Sequence, residues 1–171
     1  MRQLSMLRPN MEGLAPIELP LGYELHTGRA DSAPVWEEII RDSFKMEFSY
    51  EKELDYPDCG PENCWFVSID GEDVATAASY TKPEVPDTAF LHMVAAHSKA
   101  LGKGAGKLAV LAVLRGLKEK GVGQCRLFTD DFRIPAIGLY LSVGFEPVID
   151  DEEMKDRWAA VMEKIKGRNR A

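Results

Sequence analysis

The chain has 171 residues, of which 45% are hydrophobic and 29% are charged, and this composition fits one globular domain with a sizeable core. Its formal net charge of −7 at pH 7 argues against a nucleic acid or an anionic membrane as partner, because both would be repelled by the average surface. No apolar run is long enough to span a bilayer, and the N-terminus lacks a signal-like apolar segment. We therefore expect one cytoplasmic domain over 1–171.

The three cysteines are an odd number and form no paired Cys-x-x-Cys motif. They are Cys59, Cys64 and Cys125. Neither a disulfide framework nor a zinc site is expected from this set. We predict that the protein binds no metal.

The first third of the chain predicts an arm, then strands and short helices. Three prolines in the first 20 residues prevent a long helix, so we interpret 1–20 as an extended arm. A first strand is predicted at 22–27 and a helix after Pro34, which suits a first turn. A second short helix is predicted within 45–56. Two strands at 65–69 and 74–80, joined by an Asp-Gly turn, predict a hairpin.

The middle of the chain predicts a strand, a helix and a second strand. The strand is 88–96, the apolar stripe of the helix runs over 108–117, and the next strand is 124–129. Strand, crossover helix and strand predict a right-handed parallel βαβ unit.

The last third predicts two helices and one short strand. A helix from Pro135 to Gly144 is followed by a strand at 145–149 and a C-terminal helix at 151–166. No further strand is apparent, and an open sheet edge is an aggregation hazard. Either the N-terminal arm or another chain is expected to cover that edge.

The turn at 101–107 reads Leu-Gly-Lys-Gly-Ala-Gly-Lys and leads directly into a helix. Glycines let a ligand approach the backbone, and free N–H groups at a helix N-terminus beside lysines favour a phosphate or diphosphate. The turn is not a P-loop, because Gly106-Lys107 is followed by Leu108 instead of Ser or Thr. It is not a dinucleotide-binding motif either, because Lys107 stands where the third glycine belongs.

A second motif at 136–145 reads Ala-Ile-Gly-Leu-Tyr-Leu-Ser-Val-Gly-Phe. Together, the turn and this segment resemble the Arg/Gln-x-x-Gly-x-Gly/Ala and Ala-x-x-x-Tyr-x-x-x-Gly-Phe motifs of the GNAT family of acyl-CoA N-acyltransferases. The resemblance covers roughly 87–147. It implies a mixed α/β fold with a mostly antiparallel sheet, a central parallel βαβ unit and splayed central strands.

The resemblance also implies acetyl-CoA as cosubstrate. The pantetheine arm would hydrogen-bond along an open strand edge, and the diphosphate would meet the backbone amides of the turn. The cofactor-binding residues expected on this basis are Val94, Ala96, Leu101, Gly102, Lys103, Gly104, Ala105, Gly106, Lys107 and Arg133.

Two side chains are candidates for catalysis. His92 is similar in strand position to a histidine of arylalkylamine N-acetyltransferases that accepts the amine proton through water, while a hydrogen-bonded core histidine or a water chain is the alternative. Tyr140 matches the family tyrosine that donates a proton to the leaving thiolate. The alternative for Tyr140 is a ring packed in the core. The family places a carbonyl-polarising strand N–H at Val94.

Two positions depart from the family pattern. Leu101 stands in place of the usual Arg or Gln, and Arg133 stands in place of an asparagine before the tyrosine helix. Arg133 is expected either to reach a phosphate of the cofactor or to lie on the surface. An acidic stretch around 47–58 suggests a cationic acceptor or, alternatively, a solvated acidic face.

The resemblance therefore implies an N-acetyltransferase that acts on a small-molecule or peptide primary amine by direct transfer. The alternative is a non-catalytic acyl-CoA-binding or protein-interaction module with the same fold. The expected functional unit is a monomer or a homodimer.

Overall fold

The computed structural model describes residues 2–170 and the side chains of residues 2–168. Its strands are β1 Leu4–Arg8, β2 Tyr23–Thr27, β3 Cys64–Ile69, β4 Glu72–Thr81, β5 Thr88–Ala96, β6 Gln124–Thr129 and β7 Glu146–Pro147. Its helices are α1 Ala33–Phe44, α2 Tyr50–Glu53, α3 Ala105–Glu119, α4 Ile134–Ser142 and α5 Glu152–Arg170. None of the described helices combines the length and apolar character needed to cross a bilayer.

The seven strands form one sheet in the order β2-β3-β4-β5-β6-β1-β7. Neighbouring strands pair antiparallel except β5 and β6, which are parallel and are connected through α3. The prediction of a mixed, mostly antiparallel sheet with a central parallel βαβ unit is confirmed.

The two central strands pair over a short length and then separate. The β5–β6 ladder consists of three pairs, Thr88 with Gln124, Ala89 with Cys125, and Phe90 with Arg126. Beyond Phe90, β5 stays paired with β4 on its other side, as far as Ala96. The predicted splay is therefore present, and it leaves the C-terminal half of β5 with one open edge.

The segment predicted as an extended N-terminal arm is extended in its first part, but as a strand inside the sheet. β1 pairs antiparallel with β6 from Leu4–Thr129 to Arg8–Cys125, and β7 pairs with its other edge. Leu4 and Met6 are fully buried. Of the two expected covers for the sheet edge, the structure shows the N-terminal segment of the same chain.

Three other predicted elements have different lengths. The second helix is the single turn α2, instead of most of 45–56, and the strand after Gly144 consists of Glu146 and Pro147 alone. The C-terminal helix extends beyond residue 166, to Arg170. Helix ends fray, and a short strand ends where its pairing ends, so a sequence pattern does not fix these bounds.

The sheet is covered on both faces. Ala77 of β4 belongs to the core cluster formed with α3, α4 and α5, whereas its neighbour Ala78 belongs to the cluster formed with α1 and α2. Successive strand residues point to opposite faces, so α1 and α2 lie across the sheet from α3 and α5. The open edge of β5 is left between these two layers.

Candidate active site

Two cavities meet beside the open half of β5. One, which we call the loop groove, has a volume of about 520 Å³ and is lined by the 101–107 turn, the end of β5 and α4. The other, the histidine cavity, has a volume of about 380 Å³ and contains His92 and Tyr140. Val94, Arg133 and Ala136 line both, so they mark the junction.

The turn keeps its backbone open to the groove through two left-handed glycines. Gly102 and Gly104 have φ angles of 75° and 76°, and a Cβ added at either would meet nothing within 4 Å. A side chain would be strained at these angles, and it would fill the space from which a ligand approaches. The sequence expectation of an accessible glycine-rich backbone agrees with this geometry.

Hydrogen bonds within the turn occupy some of its backbone N–H groups and leave others free to bind a ligand. Leu101 and Lys103 donate their N–H groups to the carbonyls of Ser98 and Ala100, at 3.2 and 3.1 Å. The first bond of α3 runs from the Leu108 N–H to the Gly104 carbonyl, at 3.1 Å. The N–H groups of 105–107 precede that bond, so they are the unpaired donors of the helix N-terminus.

The two lysines and the leucine of the turn differ in position. Lys107 lines the groove, whereas Lys103 does not. The backbone carbonyl of Lys103 accepts a hydrogen bond from the Tyr23 hydroxyl at 2.9 Å. Leu101 lines the groove but leaves 72% of its surface exposed. Lys107 is therefore the better placed cation for an anion on the helix N-terminus.

Arg133 lies at the junction of the cavities and is held on two sides. Its guanidinium carbon is 4.2 Å from the centre of the Phe44 ring, and its Nε donates to Asp130 at 3.3 Å. The side chain is 29% exposed. Arg133 is therefore partly buried and lines the loop groove, and its contact with a phosphate of the cofactor stays a prediction.

His92 is largely buried beside α2. Its Nε2 lies 3.1 Å from both the backbone carbonyl and a carboxylate oxygen of Glu53, and the rings of Tyr56 and Tyr80 contact it edge-on. Burial lowers the pKa of His92, and the Glu53 carboxylate opposes that shift by raising it. A neutral imidazole at the cavity wall is the form that accepts a proton.

Tyr140 enters the same cavity from α4. The residue is 7% exposed, and its ring packs against Phe145 with the centroids 6.0 Å apart. Burial raises the pKa of the Tyr140 hydroxyl to about 12. This hydroxyl keeps its proton at neutral pH and can donate it. The structure thus brings His92 and Tyr140 into one cavity.

Sequence analysis missed a strained residue in β5. Met93 has φ 49°, a left-handed angle that is rare for a residue with a long side chain. At this point the β4–β5 register passes from Thr76–Ala95 to Ala78–His92, so β5 carries one extra residue. The bulge redirects the strand at the histidine cavity, and no feature of the methionine itself indicates it.

The sequence indicates Glu53 only as one member of the acidic stretch at 47–58. The structure gives Glu53 a specific partner, His92. Of the other two histidines, His97 lies beside α1. It is 19% exposed and lies 3.5 Å from Asp42. His26 pairs with Asp73 at 2.9 Å, outside both cavities.

The chain has an α/β fold in which two central strands separate. The gap between them opens into a groove that has a helix N-terminus at one end. The family model for the acetyltransferase (GNAT) family matches residues 33–145. The chain belongs to this family.

Individual relatives match over less of the chain or at lower identity. The mycothiol acetyltransferase of Nocardia farcinica is 34% identical over 64 residues, which are 37% of this chain and 21% of the relative. This chain therefore covers about one fifth of that protein.

Two solved structures have the same fold at low identity. A GCN5-related N-acetyltransferase from Kribbella flavida has a TM-score of 0.63 and 22% identity, with 86% of this chain and 55% of that chain covered. The diaminobutyrate acetyltransferase EctA of Paenibacillus lautus, in complex with L-2,4-diaminobutyric acid and coenzyme A, has a TM-score of 0.55 and 18% identity, with 70% and 73% covered.

Proposed function

We propose that residues 1–171 act as an N-acetyltransferase domain that moves an acetyl group from acetyl-CoA to a primary amine. The observation that carries this proposal is the junction at Val94. There, a groove that begins at a helix N-terminus opens into a cavity with one proton acceptor and one proton donor. Family membership supports acetyl-CoA as the donor.

The donor would lie along the loop groove. Its diphosphate fits the free N–H groups of 105–107 with Lys107 beside them, since helix N-termini favour negative charge. The open edge of β5 at Val94 and Ala96 offers backbone partners to the two amides of the pantetheine arm. Bound in this way, the thioester would reach the junction.

In the transfer, the amine nitrogen forms a bond to the acetyl carbon, and the bond from that carbon to sulfur breaks. The acceptor nitrogen, which arrives as an ammonium group, loses two protons. The first leaves before attack, with His92 or a water held by it as the proposed acceptor, and passes on to solvent. The second leaves the nitrogen after attack and balances the proton that the thiolate gains. The departing thiolate gains one proton, and Tyr140 is the proposed donor. An N–H of the bulged strand at Val94 is suited to polarise the acetyl carbonyl.

The acceptor is proposed to be cationic before it reacts. Free alkyl amines have a pKa near 10, as lysine does, so they enter as ammonium ions. Asp130 supplies a carboxylate to the lining of the histidine cavity, where Phe44, Phe48 and Tyr80 provide apolar surface. The Glu53 carboxylate in the same lining is in contact with His92. The Nocardia farcinica relative is named for mycothiol, whereas the EctA structure contains L-2,4-diaminobutyric acid, so the acceptor of this chain is left to experiment. The cytoplasmic location, and a monomer or homodimer as the unit, stay predictions.

The proposal is tested by incubating the protein with acetyl-CoA and a panel of primary amines, and by following free thiol with an aromatic disulfide reagent. The protein's own thiols do not interfere, because Cys59, Cys64 and Cys125 are buried and burial raises the pKa of each to about 12. We expect thiol release that requires both the protein and an amine.

The rival function is a non-catalytic module that binds acyl-CoA. The module would be favoured if calorimetry detects binding of acetyl-CoA but no amine causes thiol release. The amines tested should include peptides with a free N-terminal amine. Absence of both binding and release would contradict both functions.

A further inference from the structure

The contacts of His92 determine which of its ring nitrogens carries the proton. Nε2 lies 3.1 Å from two oxygen acceptors of Glu53, the backbone carbonyl and the carboxylate Oε2. A lone pair on Nε2 would be repelled by both oxygens, so Nε2 carries the hydrogen in the neutral ring. Among the described residues, Nδ1 has no hydrogen-bond partner. Nδ1 is then the nitrogen with a free lone pair.

The ring is also held in place by its neighbours. Tyr56, which follows α2, and Tyr80 of β4 contact it edge-on, at centroid distances of 5.5 and 5.3 Å. The imidazole is 20% exposed and the Glu53 side chain 24% exposed, so water screens their interaction only in part. A ring fixed in this way cannot exchange the roles of its two nitrogens without losing both contacts to Glu53.

The ionisable groups around His92 come from four directions. Glu53 faces it from α2, the ring of Tyr56 from the segment after α2, and the ring of Tyr80 from β4. Three further groups line the same cavity from the β6–α4 side, Asp130, Arg133 and Tyr140. Of these, Glu53 is the carboxylate in contact with the ring, so it opposes the effect of burial on the His92 pKa.

We propose that Glu53 is a positioning residue that holds His92 in the Nε2–H form and stabilises the imidazolium. This proposal rests on the proposed function. Nδ1 takes the proton that the attacking amine loses, directly or through one water, and the positive charge that forms lies 3.1 Å from the Glu53 carboxylate. Glu53 itself does not contact the acceptor.

The first test measures the histidine directly and needs no turnover. The chain has three histidines, so imidazole ¹H–¹⁵N correlation spectra resolve them, and H92Q assigns the signal. We expect His92 to be neutral in the Nε2–H form at pH 8. E53Q should lower its pKa by about one unit, because an opposite charge at this distance is lost. His26, paired with Asp73, and His97, beside Asp42, serve as internal controls.

E51Q is the matched control variant. Glu51 lies on the same helix and is exposed, and the substitution removes the same charge without touching the ring. It should leave the His92 titration within about 0.2 units, since exposed charges are screened by solvent. Equal shifts in E51Q and E53Q would overturn the proposal, as would a His92 in the Nδ1–H form.

The second test is the pH profile of kcat/KM for the amine. Activity that requires neutral His92 rises with pH through its pKa, so E53Q should move this rise to lower pH by the shift seen in the spectra. It should also lower the plateau about tenfold, since the imidazolium loses its partner. The KM for acetyl-CoA should not change, and E53D should restore part of the rate.

Two kinetic outcomes would overturn the proposal. In one, E53Q raises only the KM of the amine while the His92 titration is unmoved, which would mean that Glu53 binds the acceptor. In the other, the titration moves but the pH profile does not. A protein without any transferase activity would instead refute the proposed function, and the spectra would still decide the tautomer.

Discussion

At the scale of single residues, two side chains are suited to opposite proton transfers because their surroundings differ. His92 has a carboxylate against one nitrogen, and burial lowers its pKa, so it is neutral and basic at pH 7. Tyr140 lies among apolar groups, and burial raises its pKa to about 12, so it stays protonated. A proton acceptor and a proton donor thus coexist in one cavity at the same pH.

Y140F tests the donor role. Removing the hydroxyl should lower kcat at least tenfold, because the thiolate must then take its proton from water, while the calorimetric affinity for acetyl-CoA changes less than twofold. Stability should not fall, since no hydrogen bond of the hydroxyl is lost among the described residues. Unchanged turnover would return Tyr140 to a purely structural role.

At the scale of elements, the N-terminal strand completes the sheet next to the active site. β1 lies between β6 and β7, and its residues alternate between fully buried and half-buried. Met6 is fully buried in the core cluster that also contains residues of α3, α4 and α5, whereas Leu7 is on the other face and half-buried. β1 therefore anchors β6, whose far end lines the histidine cavity.

M6A should lower the free energy of unfolding by about 2–5 kcal/mol, because it removes a buried side chain from a packed core. L7A is the matched control and should cost less than half as much. Chemical denaturation followed by circular dichroism measures both. Equal losses would mean that the strand does not lie as described.

At the scale of the whole molecule, the proposed ligand would bridge parts that the fold leaves separate. The loop groove is lined by β5, the turn before α3, and α4. The sheet holds β5 and β6 together over three residue pairs only. A ligand that fills the gap adds contacts across it, so it should stabilise the native state.

We expect coenzyme A at 100 times its Kd to stabilise the protein by about 2.7 kcal/mol and to raise Tm by about 5–10 °C, measured by calorimetry. K107A should reduce this rise at the same concentration, since it removes a cation from the groove. K118A, a charge change near the other end of α3, is the control and should retain the full rise. Equal rises in both variants would place the diphosphate away from the helix N-terminus.

Sequence alone determined the parts of this protein that depend on local patterns. Leu108, Leu111, Leu114 and Leu117 recur at helical spacing, and the strands at 88–96 and 124–129 flank them, so the parallel βαβ unit could be predicted. The glycine-rich turn and the Tyr140 segment carried the family resemblance in the same way. Glycines in a turn and apolar stripes in a helix are required by the local backbone and by the helical repeat. Such local requirements can be read directly from the sequence.

Tertiary structure alone decided the features that depend on groups distant in the chain. Met6 joins β6 across 121 residues, since it pairs with Leu127. Glu53 reaches His92 from 39 residues away. The left-handed φ angle of Met93 lies at the register shift between β4 and β5 and does not reflect a backbone preference of methionine. Such contacts form only when separate elements pack together, so they cannot be predicted from the residues that are adjacent in the sequence.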